Sequence, residues 1–126
     1  MIYDFLLDRL NTIPALKNQL YPVAAQIGSV APPFGLYSMG AATAERTLSG
    51  DLVAYTQQVS IDLLHDDYDV LQLLGAEAEA ALNCQALSCG DCYIFSSTVT
   101  GLTGDRMDMN LDLYSYGISL TVVYWR

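Results

Sequence analysis

Residues Leu52–Leu64 read "LVAYTQQVSIDLL". Val53, Tyr55, Val59, Ile61 and Leu63 alternate with Ala54, Thr56, Gln58, Ser60 and Asp62. A period of two over that length predicts a β-strand with one buried face and one polar face. Such a strand needs neighbours in a sheet and a cover for its apolar side.

The flanking sequence supplies both. Upstream, "FGLYSMGAAT" reads as a strand, with Phe34, Leu36 and Ser38 on one face and Tyr37 and Met39 on the other. "AERTLSGD" between the two strands reads as a polar connection with a Ser-Gly turn signal. Downstream, Asp66 or Asp67 can cap a helix over "YDVLQLLGAEAEAALN". Leu71, Leu74, Ala78 and Leu82 fall on one stripe of that helix, and Asn83 is placed to stop it.

Further out, Ile2, Phe5, Leu6 and Leu10 recur at helical spacing. "PALKNQLYP" reads as a short turn with Pro14 at a first helical position, and "AQIGSVAPP" reads as a loop. "CYIFSSTVT" predicts a third strand and "GLTGDRMD" a two-glycine loop. "LDLYSYGISLTVVYW" predicts a long last strand with Tyr116, Ile118, Leu120, Val122 and Tyr124 on one face. Met109, Leu111 and Leu113 have the opposite parity, which predicts a bulge or break near Ser115 to Gly117. The expected architecture is α+β: one domain over residues 1–126, an antiparallel sheet with two main helices packed on one face.

Composition narrows the function classes. The 126 residues are 52% hydrophobic and only 15% charged, with net charge −9 from 14 acids and 5 bases. An ordinary soluble chain carries about 25% charged residues. So lean a chain is expected to cover apolar surface with copies of itself or with a partner. The acidic balance argues against wrapping nucleic acid or lying on anionic lipid. Asp4, Asp8 and Arg9 break any signal-peptide core at the N-terminus. Pro22, Gly28, Pro32 and Pro33 interrupt the uncharged stretch from Asn18 to Ala44. The reading is a soluble protein made in the cytoplasm with free thiols.

Candidate chemistry is sparse. Cys84, Cys89 and Cys92 lie in "NCQALSCGDCYIF", and the last two form a C-x-x-C. A structural zinc needs four ligands, and the one histidine, His65, is separated from the cysteines by the second helix. A redox dithiol places its first cysteine at a helix N-terminus, whereas Cys92 enters a β-rich segment. The simpler reading is a Ser-Cys-Gly-Asp turn feeding a strand. "HDDYD" gathers His65, Asp66, Asp67 and Asp69, but helix capping selects the same acids. The sequence holds no nucleophile elbow, phosphate loop or dinucleotide fingerprint. Nine tyrosines without bases between them do not make a single-strand binding platform. No catalytic, metal or cofactor site is expected.

The order of elements carries a resemblance. "LYPVAAQIGSVAPPFGLYSM", a polar hairpin, then "YTQQVSIDLLHDDYDVLQLLGAEAEAALN" resembles the tail completion proteins of tailed bacteriophages, also called tail terminator or tail-to-head joining proteins. The matching features are Tyr21-Pro22, Pro32-Pro33-Phe34, Gln58-Val59-Ser60-Ile61-Asp62, and the helix from Asp66 onward. The likeness covers most of the chain. The cysteine-bearing turn lies outside the pattern, and the part from Met107 matches only in being strand-rich. The resemblance implies a non-enzymatic ring of usually six copies in the virion. The ring caps the tail tube, docks it to the head connector, and leaves a channel through which DNA passes without specific binding.

Two other classes compete: a small α+β adaptor of the host cell, and a thiol redox or metal-binding protein using Cys89 and Cys92. Within the leading reading, the scarce cations Arg46 and Arg106 are expected to meet acids on a neighbour or partner. The loops "GAATAERTLSGD" and "GLTGDRMD" are expected to order on assembly. Tyr124 and Trp125 are residue types enriched at interface hot spots. If Tyr124 joins the core, alternation turns Trp125 outward.

Overall fold

The computed structural model describes residues 2–22, 32–89, 92–108 and 113–125, with backbone alone at Leu52, Leu87, Cys89, Cys92 and residues 103–108. Helix α1 (Ile2–Leu10) and a single 3-10 turn (Pro14–Leu16) precede strands β1 (Leu20–Pro22), β2 (Phe34–Arg46) and β3 (Leu52–His65). Helix α2 (Tyr68–Leu82) leads into β4 (Cys84–Cys89), β5 (Cys92–Asp108) and β6 (Leu113–Trp125). The strands form one sheet in the order β1-β2-β3-β6-β5-β4. The β1–β2 pair is parallel and the other four are antiparallel. The chain is α+β, with two helices on a mostly antiparallel sheet.

The alternation in "LVAYTQQVSIDLL" puts β3 at the centre. It pairs with β6 without interruption from Tyr55–Tyr124 to His65–Tyr114. That register sets Val59 beside Leu120, Ile61 beside Ile118 and Leu63 beside Tyr116 on the helix-covered face. All six side chains are buried. Phe5, Leu6 and Leu10 of α1 and Leu71, Leu74, Ala78 and Leu82 of α2 close over them in one core cluster. Both helices thus bury the stripes that their sequences mark.

Local contacts fix the helices. Asp67 caps α2, its Oδ1 accepting from the Val70 N–H at 3.1 Å. At the other end, Arg9 Nε of α1 donates to the Ala81 carbonyl at 2.6 Å. This supplies a positive partner to a carbonyl that the helix itself leaves unpaired. Gly75 lets α2 approach β6 closely, since a Cβ there would lie 2.6 Å from the Tyr116 ring.

Four expectations are corrected. Strand β2 continues through Arg46, so "AERTLSGD" is a polar connection only from Thr47 to Asp51. That turn is held by Thr47 N–H to Asp51 O at 2.8 Å and Gly50 N–H to Thr47 O at 2.9 Å, with Gly50 at φ 91°. "GLTGDRMD" is not a loop, because β5 runs through it to Asp108. The short strands β1 and β4 were not expected, and β4 follows α2 directly after Asn83.

The bulge expected in β6 instead lies across from it, in β5 between Thr103 and Arg106. Two further register shifts in β5 fall at Phe95 and Thr100, so sixteen residues, Tyr93–Asp108, oppose thirteen, Leu113–Trp125. Each bulge bends the strand and breaks its period of two.

Candidate functional site

The two faces of the sheet differ in chemistry. On the face away from the helices, register places Ser38, Ser60 and Ser119 in one row, and Gln58, Thr121 and Thr98 in the next. Thr121 Oγ1 donates to Gln58 Oε1 at 2.9 Å. Asp62, beside Gly117 and Leu36, is the acid that register places among these rows. The helix layer is acidic by contrast. Asp4 and Asp8 lie on α1, Asp69, Glu77 and Glu79 on α2, and Asp66 and Asp67 in the turn before it.

The far face ends in an aromatic group. Trp125 and Tyr93 are register partners, and the rings of Tyr93 and Phe95 meet edge-on at 5.2 Å. Trp125 is 49% exposed and Phe95 nearly as much. Ala54, the register partner of Glu45 on β2, is buried. The exposed Val53 and the fully exposed Leu48 belong to the adjoining β2–β3 hairpin.

The sequence candidates fall out as follows. Trp125 faces outward. Tyr124 lies in the core: it is 6% exposed, its ring stacks on Tyr55 at 5.5 Å, and its hydroxyl donates to Gln57 Oε1 at 3.2 Å. The same alternation that exposes Trp125 turns Tyr124 into the core. Arg46 is exposed at the hairpin, and one guanidinium nitrogen donates to the Gly50 carbonyl at 3.1 Å. Arg106 lies at a β5 register position opposite Ser115, with its side chain outside the described residues. Arg46 and Arg106 are therefore on different strands of the sheet and are not brought together.

Cys89 and Cys92 are register partners where β4 meets β5, and their side chains also lie outside the described residues. Cys84 is a free thiol, half-buried. Burial pushes its pKa up and the nearby Arg9 opposes that shift only in part. A raised thiol pKa lowers the thiolate fraction, the reverse of what a nucleophilic cysteine needs. Cys84 lines a shallow hollow of about 480 Å³ with Asn83, Gln85, Ser97 and Thr98. Among the described residues, no cluster of three metal-ligating side chains forms. His65 Nδ1 lies 2.9 Å from its neighbour Asp66, and Asp67 is used as the helix cap.

Sequence reasoning missed one surface. Val70, Leu73, Ala76 and Ala80 lie on the outward side of α2, and Leu73 is 68% exposed. Their spacing is legible in the sequence, but the eye is drawn to the stronger stripe of Leu71, Leu74, Ala78 and Leu82.

No protein-family model matches the chain, and no curated protein does. Solved structures do. A chain of the "Virion of native gene transfer agent (GTA) particle" superposes with a TM-score of 0.68. The match covers 91% of this chain and 83% of that one, at 11% sequence identity. The two chains share a fold. The agreement spans nearly the whole domain.

Proposed function

We propose that this chain is a structural, non-enzymatic component of a phage-like particle, and that it acts as a tail completion protein. Copies form a ring, six in the assembled tail, that caps the tail tube and meets the head connector, with DNA passing through the centre. The observation that carries the reading is the whole-domain likeness to a virion chain. The order of elements from Tyr21-Pro22 to α2 supports the finer assignment to the head–tail junction.

The physical character of the chain is compatible with that role. A channel wall must let the duplex move, and an acidic chain repels phosphate where lysines and arginines would hold it. The 126 residues bear a net charge of −9. Apolar side chains left in water at Trp125, Phe95 and Leu73 suit a subunit that is finished only by its neighbours.

Negative-stain microscopy of tail tubes mixed with the purified chain tests this. The expected image is a ring at one end of each tube. Tubes whose ends stay bare at saturating protein would refute the assignment.

A further inference from the structure

The C-x-x-C of Cys89 and Cys92 is a motif that the proposed function leaves unused, and the fold gives it a setting. Cys89 closes β4, Cys92 opens β5, and the two are directly opposite in the antiparallel ladder. The ladder reaches them in constant register: Cys84 opposite Ser97, Gln85 opposite Ser96, Leu87 opposite Ile94 and Ser88 opposite Tyr93. Ile94 is fully buried opposite Tyr124 of β6. That anchors β5 against a one-residue slip, which would turn every side chain to the other face. Gly90 and Asp91 separate the two cysteines, and Gly-Asp is a pair that two-residue hairpin connections favour.

We propose that Cys89 and Cys92 are a reversible disulfide site: a cross-strand bridge that closes on oxidation and ties the end of β4 to β5. The bond rests on the fold and does not depend on the tail role. Opposite residues of an antiparallel pair share a face, with Cα atoms about 4.5 or 5.5 Å apart. Both spacings lie within the roughly 4.4–6.8 Å that a disulfide spans. Cys84 is out of reach. It sits five residues from Cys89 along β4, about 16 Å at roughly 3.3 Å per residue, and is as far from Cys92 across the ladder. A catalytic dithiol needs a helix N-terminus to activate its first thiol, and these two lie in strands. A bridge between their own sulfurs needs proximity alone.

The oxidant is a small-molecule disulfide, RSSR. The thiolate of one cysteine attacks it, a protein–S–S–R bond forms, and RS⁻ leaves. The thiolate of the other cysteine attacks the protein sulfur of that bond, closing the bridge and expelling the second RS⁻. Each thiol gives up a proton and each RS⁻ takes one up. Two protein thiols and RSSR thus become one protein disulfide and two RSH, with two electrons passing from the protein to RSSR. Excess small thiol reverses both steps.

The bridge would act on the sheet margin. Strand β4 pairs with β5 alone. Its first end follows α2 directly, and there Asn83 Oδ1 accepts from the Val99 N–H at 2.8 Å. In its middle, Ala86 leaves strand geometry at φ 53°. The bridge fastens the far end, next to Tyr93, the register partner of Trp125.

The test equilibrates the full chain with oxidised and reduced glutathione over a range of ratios. Free thiols are trapped by alkylation and the products weighed by mass spectrometry. Under oxidising ratios the chain should show two fewer alkylated thiols, no retained glutathione at Cys89 or Cys92, and a proteolytic fragment with these two joined. Cys84→Ser should also form the bridge. Cys89→Ser and Cys92→Ser should each lose it and hold glutathione on the remaining cysteine. In concentrated guanidinium chloride the equilibrium constant for closure should fall by about tenfold or more, because the unfolded chain no longer holds the positions opposite each other. The wild-type measurements suffice should a variant fail to fold. Persistent glutathione adducts on both cysteines of the wild type overturn the proposal. So do thiols that stay reduced at the most oxidising ratio, a bridge through Cys84 or between two chains, or equal closure constants with and without denaturant.

Discussion

The two faces of the central sheet are made by the same strands and serve different ends. On the helix-covered face, β3 and β6 present Val59, Ile61, Leu63, Ile118, Leu120 and Val122, all buried under α1 and α2. On the far face, the same strands present Ser60, Gln58, Thr121 and Ser119, finishing in the exposed Trp125. Alternation gives the first face to folding and frees the second for something else. Free energy of folding should therefore be concentrated on one side, and sensitivity of assembly on the other.

The largest effect is expected where the helix face is most enclosed. Leu120 is fully buried between Val59 and Val99 in the register. Leu120→Ala removes packed methyl groups and leaves a cavity, which costs about 2–5 kcal/mol. Urea unfolding should show a lower midpoint with the slope unchanged. A loss under about 1 kcal/mol would mean that the helices do not grip this face, and the contrast between the faces would collapse.

Gly75 probes the same face from the helix side. Alanine normally improves a helix interior by about 1 kcal/mol relative to glycine. Here its Cβ would sit 2.6 Å from the Tyr116 ring, closer than real contacts allow. The ring is buried under α2 opposite the third β5 bulge, so α2 must lift. Gly75→Ala should destabilise by a net 1–2 kcal/mol or so, the overpacking cost less the propensity gain. Combined with Tyr116→Leu the loss should shrink, and a double-mutant cycle reads that coupling. Strict additivity would place the strain elsewhere.

Asp67→Ala comes next. It removes the acceptor for the Val70 N–H and the charge at the start of α2, worth about 1 kcal/mol. Asp67→Asn should restore most of it, because the capping oxygen returns without the charge. Equal losses in both variants would show that the charge, not the hydrogen bond, holds the helix start.

How much of this was legible depended on whether one face of an element was buried along an unbroken period. β3 and β6 announce themselves because their register runs without a bulge from Tyr55 to His65. The α2 stripe is equally plain, as is its Asp67 cap. β5 is not. Three extra residues break its alternation, and Gly101 and Gly104 look like turn signals where β5 continues as a strand. The end of β2, from Ala44 to Arg46, is polar and exposed, so no hydrophobic pattern marks it. β4 pairs only with β5 at the sheet margin, and Ala86 there takes a φ of 53°, which local sequence does not advertise. Of the four interface candidates, Trp125 and Tyr124 both stand where alternation puts them, the indole outward and the tyrosine in the core. Both outcomes come from one strand's parity, which the sequence carried but interface propensity obscured.

The smallest effect on stability is expected on the far face, and it sharpens the comparison most. Trp125 is a large side chain, and tryptophan is usually well buried. Here half of it meets solvent, and its register partner is Tyr93 of β5. Truncation to alanine removes surface contact without opening a core cavity, so the monomer should lose no more than about 0.5 kcal/mol. Leu120→Ala removes a smaller side chain and should cost several times more. The order of the two reverses the order of their apolar areas, because enclosure decides the cost, not size. Denaturant curves on dilute, monomeric protein measure this, since association would add its own stabilisation by mass action. A Trp125→Ala monomer that loses as much as Leu120→Ala would show that the indole is part of the folding core, and the far face could no longer be assigned to assembly.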